Sequence, residues 1–159
     1  MAMTILALLP DAAEYDVKVL ATDIDPNMIA LGQAACYDEM ALRAVPADQR
    51  RQWFVPANDR HGSMIAVGAL RGLVTFRRLN LVGAWPMRGQ FHAIFCRNVV
   101  IYFENDTQAK IWARMVPLLD PAGALYIGHS ERVSGAAEAL LCSDGITTYR
   151  KLQHQQAAS

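Results

Sequence analysis

Phe91-His92-Ala93-Ile94-Phe95-Cys96-Arg97-Asn98-Val99-Val100-Ile101-Tyr102-Phe103 is the stretch that decides how this chain folds. It opens as an apolar run of strand length, breaks at the polar pair Arg97-Asn98, and resumes with β-branched and aromatic residues. A strand buried on both faces of a parallel sheet reads as such a continuous run. A charged residue at its carboxyl end stands where open parallel sheets bind ligands. The competing reading makes Arg97 a surface ion-pair partner, and composition alone does not separate the two.

Upstream, Val17-Lys18-Val19-Leu20-Ala21-Thr22 is β-rich and ends in Asp23-Ile24-Asp25-Pro26. This reads as a strand, with Asp25 as N-cap and Pro26 as the first residue of a helix carrying Met28, Leu31 and Ala35 at helical spacing. A carboxylate ending a strand before a helix can accept both ribose hydroxyls of a nucleoside. Asp25 has a capping task to explain it, so the functional reading falls on Asp23. A short helix is expected from Pro46 through Arg51. Trp53 to Pro56 and Met64 to Val67 read as two strands of a small hairpin around the turn 58–63, and Leu73 to Arg78 as a further strand.

Downstream of the opening stretch, Asn105-Asp106-Thr107 offers N-caps for a helix with the stripe Ala109, Trp112, Met115 and Val116, ended by Pro117 and Asp120-Pro121-Ala122-Gly123. Strands are expected at Ala124 to Ile127, before Gly128-His129-Ser130-Glu131, and at Gly145 to Arg150. Strands alternating with helices predict an α/β fold with a mostly parallel sheet. The opening Met1 to Leu9 reads as the tail of an amphipathic or buried helix, since it lacks a basic n-region and a cleavage site.

The chain has 159 residues, 53% of them hydrophobic, with 15 basic and 15 acidic side chains. That is enough for one core, and a net charge of zero gives no reason to expect nucleic acid or an anionic membrane as partner. Cys36, Cys96 and Cys142 are odd in number and scattered, which fits a reducing compartment and a cytoplasmic location. His61, His92, His129 and His154 show no ligand spacing, so no metal is expected.

Asp23, Leu79-Asn80-Leu81, Cys96-Arg97-Asn98-Val99 followed by Ile101-Tyr102-Phe103, Val116-Pro117-Leu118-Leu119 and Gly128-His129-Ser130-Glu131 occur in one order across nearly the whole chain. In this the chain resembles the chemotaxis receptor methyltransferases. The resemblance implies a Rossmann-like class I fold dependent on S-adenosylmethionine, with methyl transfer to receptor glutamates that leaves S-adenosylhomocysteine and a methyl ester. It implies that Asp23 binds the ribose and that Asn80 and Leu81 border the adenine. Arg97 and Asn98 then lie beside the methionine portion, and Arg97 and Tyr102 serve catalysis at the entry for the acceptor. Residues 53–67 correspond to the family's small β-subdomain, with the cytoplasmic part of a methyl-accepting receptor as partner and the enzyme a monomer.

The family chemistry demands positioning. A glutamate with a reference pKa near 4.3 is ionised at neutral pH and requires no general base. Holding oxygen, methyl carbon and sulfur in line is worth about 7–11 kcal/mol. An aromatic face beside a sulfonium adds about 0.5–2 kcal/mol, and Arg97 suits a carboxylate clamp. His129 reads as a structural hydrogen-bond partner, Ser130 and Glu131 as a loop brace, and Cys96 as a small buried hydrophobe.

In the family a strand and a Gly-containing acidic loop precede the segment matching Met1 to Leu9, and neither occurs in these residues. Residues 1–152 are therefore expected to form a partial, amino-terminally truncated domain, followed by a polar tail at 153–159. Weak or absent cofactor binding by the chain alone is the corresponding expectation. A non-catalytic cofactor- or receptor-binding module is the alternative. A nicotinamide-dependent dehydrogenase would require a G-x-G-x-x-G turn that is absent here.

Overall fold

The computed structural model describes residues 1–58 and 62–152. Asp59 to His61, in the tip of the expected hairpin turn, and the expected tail at 153–159 lie outside the described residues. The chain divides into two compact units, residues 1–80 and 81–159.

The first unit opens with helix α1 (Ala2–Leu8), which buries Leu6. Strand β1 (Val19–Asp23) leads into helix α2 (Pro26–Ala34). Asp25 caps α2 as its sequence predicts: its side chain accepts the Asn27 N–H at 2.8 Å, and Pro26 occupies the first turn. Of the expected stripe of α2 only Ala35, at its C-cap, is buried. Met28 and Leu31 are 46% and 53% exposed. The helix meets the sheet instead through Gly32 and Gln33. A Cβ on Gly32 would come within 2.4 Å of the Phe76 ring, and Gln33 Nε2 donates to the Phe76 carbonyl. A residue without a side chain brings the helix backbone close, and periodicity of apolar residues cannot register that.

Strand β2 (Cys36–Asp38), helix α3 (Ala47–Trp53), strands β3 (Phe54–Pro56) and β4 (Ser63–Ala66), and helix α4 (Gly68–Leu73) follow. The expected hairpin is therefore one part of a three-stranded antiparallel sheet in the order β2-β4-β3. Neither β2 nor α4 was apparent from sequence, since each is too short to show a period. Strand β5 (Val74–Arg78) pairs in parallel with β1, from Val19 opposite Val74 to Asp23 opposite Arg78. Leu6, Ala12, Leu42, Phe54, Leu70 and Leu73 are among the residues of this unit's core.

In the second unit, β6 (Phe91–Cys96) is a strand as expected, but it is not buried on both faces: only Cys96 is buried, and Phe95 is 51% exposed. The segment after Arg97-Asn98 does not resume as a strand; Val100–Tyr102 form one turn of 3₁₀ helix. Helix α5 (Asn105–Met115) takes Glu104 as N-cap, with no side-chain capping bond, rather than a residue of 105–107. Its Ile111, Trp112 and Met115 are buried, joined by Val116, Leu119, Leu125 and Ile127 in one core.

Strand β7 (Leu119–Ile127) starts earlier than expected. It pairs in parallel with β6 at Phe91 opposite Leu119, and again from Ala93 opposite Ala124 to Cys96 opposite Ile127. The turn-like Asp120 to Gly123 is the irregularity between these pairs. Asp120 Oδ1 accepts the Ala122 N–H at 2.9 Å, and a Cβ on Gly123 would lie 2.9 Å from the Phe91 carbonyl. A bulge accommodates Pro and Gly that a regular ladder excludes. Strand β9 (Thr148–Lys151) runs antiparallel to β7, and β8 (Leu141–Ser143) antiparallel to β9, giving the order β6-β7-β9-β8. The architecture is α/β, parallel at β1/β5 and β6/β7, with a small antiparallel sheet.

Candidate cofactor site

Asp23 and Asn80 belong to the first unit. Asp23 ends β1, and its carbonyl accepts the Leu79 N–H at 2.9 Å, so the carboxyl ends of β1 and β5 are joined just before Asn80. Asp23 has a local task that the sequence reading denied it. Its Oδ1 accepts the Asp25 N–H at 2.9 Å, closing an Asx turn. The residue is exposed, and Oδ2 accepts no hydrogen bond from the described residues. Asn80 is also exposed.

Leu81, Arg97, Asn98 and Tyr102 belong to the second unit. Leu81 is half-buried, and its carbonyl is gripped twice, by Trp85 Nε1 at 3.1 Å and an Arg114 guanidinium N–H at 2.9 Å. Arg114 also donates to the Gly83 carbonyl at 2.6 Å and lies 4.0 Å from the Trp85 ring centroid. The planar fork serves two carbonyls while its face rests on the indole. Nothing in the sequence pointed to Arg114 or Trp85, because Arg114 stands 33 residues from the Leu81 it holds.

Arg97 and Asn98 are exposed at the carboxyl end of β6, and Tyr102 is 81% exposed. Arg97 forms no ion pair with the described residues. Asn98 adopts φ +57°, a left-handed conformation that asparagine tolerates better than most residues. The backbone of this turn is held by Glu131, which is 1% exposed. Glu131 Oε1 accepts the N–H groups of Val99 and Val100 at 2.9 and 2.8 Å, and Oε2 those of Asn98 and Gly128 at 3.0 and 2.6 Å. Burial works to raise the Glu131 carboxyl. The N–H groups of Gly128, Val99, Val100 and Asn98 outweigh it and hold the group below the usual carboxylate range. Burial first, and then the charge of Glu131, push the Cys96 thiol up to about 12, so this cysteine is the buried small hydrophobe its sequence context implies. His129 is exposed, with its carbonyl accepting from Arg132.

A parallel strand end carrying an exposed turn with its backbone locked from beneath fits the ligand end of an α/β sheet. The family described as CheR methyltransferase, SAM binding domain, matches residues 1–148. This chain belongs to that family. It is 50% identical over 150 residues to a probable chemotaxis protein methyltransferase of Rhizobium etli, covering 94% of this chain and 56% of that protein. It is 39% identical over 135 residues to chemotaxis protein methyltransferase 2 of Pseudomonas aeruginosa, covering 84% of this chain and 48% of that one. Among solved structures, that of PKMT2 from Rickettsia typhi in complex with AdoHcy is similar at a TM-score of 0.43 and 19% identity, over 76% of this chain and 18% of that one.

The chain spans about half the length of the curated relatives it matches. As a CheR SAM-binding domain it has a Rossmann-like class I fold, and S-adenosylmethionine is its cofactor. Arg114, Trp85 and Glu131 hold candidate loops of this CheR domain through their backbone, as Arg78 does by donating to the Ile24 carbonyl after Asp23. Of the first three, only Glu131 lay in a segment that the sequence singled out.

Proposed function

We propose that the chain supplies the cofactor-binding part of an S-adenosylmethionine-dependent methyltransferase acting on glutamate side chains of chemotaxis receptors, with glutamate methyl esters as product. The observation that carries this reading is 50% identity over 150 residues to a probable chemotaxis protein methyltransferase. Residues 1–152 are read as a partial methyltransferase domain, and 53–67 as its receptor-docking β-subdomain. The enzyme is read as a cytoplasmic monomer whose partner is the cytoplasmic part of the receptor. No helix among the described residues is long and apolar enough to cross a membrane, which is compatible with that placement.

Bound S-adenosylmethionine supplies an electrophilic methyl group on a sulfonium that departs as a neutral thioether. The residues of this chain have binding and orienting roles. The uncommitted oxygen of Asp23 accepts ribose hydroxyls. Asn80 and Leu81 border the adenine, the amide reading base edges and the leucine packing on the ring. Asn98 lies beside the methionine portion. Arg97 clamps the ionised acceptor carboxylate through a charge-assisted pair. Tyr102 sets an aromatic face against positive charge. Exposure of Arg97, Asn98 and Tyr102 together on one turn supports these roles.

The test is incorporation of methyl groups from labelled S-adenosylmethionine into receptor cytoplasmic fragments, by the full reading frame that contains this chain. Label released as methanol in mild alkali is the expected result, as an ester requires. Calorimetry with S-adenosylhomocysteine on the same protein separates the alternatives. Binding without transfer favours a non-catalytic module, and absence of both refutes the reading.

A further inference from the structure

Glu131 is a buried carboxylate whose four hydrogen bonds, to Gly128, Asn98, Val99 and Val100, all come from backbone N–H groups. An isolated buried charge is costly, and a carboxylate is tolerated where its oxygens are filled with donors. The donors come from two strand ends. Gly128 directly follows β7, while Asn98 to Val100 follow β6 and lead into the 3₁₀ turn that bears Tyr102. No other side chain among the described residues bonds the backbone of 98–100. Asn98 is in a left-handed conformation that the strand ladder does not impose.

We propose that Glu131 is the positioning residue of the candidate site. Its carboxylate, acting at once on the ends of β6 and β7, fixes the backbone that presents Arg97, Asn98 and Tyr102. Gly128 is part of the same device. A Cβ there would lie 2.5 Å from Asn98 Oδ1 and 2.8 Å from Glu131 Oε2, so the carboxylate reaches the turn only because residue 128 is glycine. What the turn binds rests on the function proposed above; that Glu131 holds it does not.

The experiment is hydrogen exchange by NMR on the 159-residue chain and its Glu131→Gln variant, followed by titration of each with S-adenosylhomocysteine. Glutamine keeps the shape, removes the charge, and turns an NH₂ toward two of the four donors. The amides of Asn98, Val99 and Val100 are expected to exchange about 10- to 100-fold faster in the variant, while those of Leu125 to Ile127 keep their rates. A merely structural, space-filling role would leave the loop unchanged or loosen both sets alike, and either outcome overturns the proposal. Weaker binding of S-adenosylhomocysteine by the variant supports the positioning role, and equal measurable binding overturns it. If neither protein binds, as the chain alone is expected to behave, loop exchange decides whether Glu131 positions the turn. Should the variant not fold, the unmodified chain provides the decision. Through-hydrogen-bond couplings from the Glu131 carboxylate carbon to the Asn98, Val99 and Val100 nitrogens are expected, and their absence refutes the proposal.

Discussion

Gly128, Glu131 and Asn98 form one packed unit, and single substitutions there have distinct consequences. Gly128→Ala places a methyl group 2.5 Å from Asn98 Oδ1 and 2.8 Å from Glu131 Oε2. A loss of about 1–3 kcal/mol is expected from urea denaturation, because Glu131 Oε2 cannot yield without breaking its bonds to the Gly128 and Asn98 N–H groups. The Glu131 carboxyl sits below its ordinary range when folded. Above the unfolded value near 4.3 it is ionised in both states and its contribution is fully present. As pH falls from there through the lower folded value, the unfolded chain takes the proton first and the contribution is lost. The urea midpoint should therefore drop at acid pH, and drop less in Glu131→Gln. Arg97→Ala, by contrast, removes an exposed side chain without an ion pair among the described residues, so folding should change by less than about 0.5 kcal/mol. Methyl transfer by the full protein should fall by about tenfold or more, the equivalent of one charge-assisted hydrogen bond. Unchanged transfer would return Arg97 to an ordinary surface arginine.

At the scale of the element, α5 carries the core of the second unit. Trp112 is fully buried, yet its Nε1 has no hydrogen-bond partner among the described residues. Its contribution is therefore apolar contact and not hydrogen bonding. Trp112→Ala should cost about 3–5 kcal/mol in a urea melt. Trp112→Phe breaks no hydrogen bond and should cost less than half as much. The sequence made this helix plain because its apolar stripe repeats at helical spacing. It did not make β2, β8 or α4 plain, since elements of 3 to 6 residues complete too little of a period. Nor did it anticipate β7 running through Asp120 to Gly123, where turn-forming residues occupy a bulge within a strand.

Over the molecule as a whole, 15 basic and 15 acidic side chains leave no net charge at neutral pH. Apolar side chains such as Met28, Leu31, Met40, Phe95 and Ile146 are exposed. Repulsion between copies is then weak, and apolar contact between them is unopposed. Added salt should therefore change the second virial coefficient at pH 7 little, since there is no net repulsion to screen, as light scattering would show. Much of the molecule was readable in advance. The class, the strand at Phe91 to Cys96 and the Asp25 cap follow from local chemistry and short-range pattern, whereas Asn80, Leu81, Asn98 and Tyr102 were singled out by the family resemblance. Caps, strand runs and turn residues act between neighbours a few positions apart, so their signals survive in one dimension. Which side of α2 meets the sheet, how Arg114 grips Leu81 from 33 residues away, and how Glu131 draws the ends of β6 and β7 onto one carboxylate were decided only in three dimensions. Those contacts depend on close approach of distant backbone groups. Pairing of that kind leaves no periodic trace in the residues that make it.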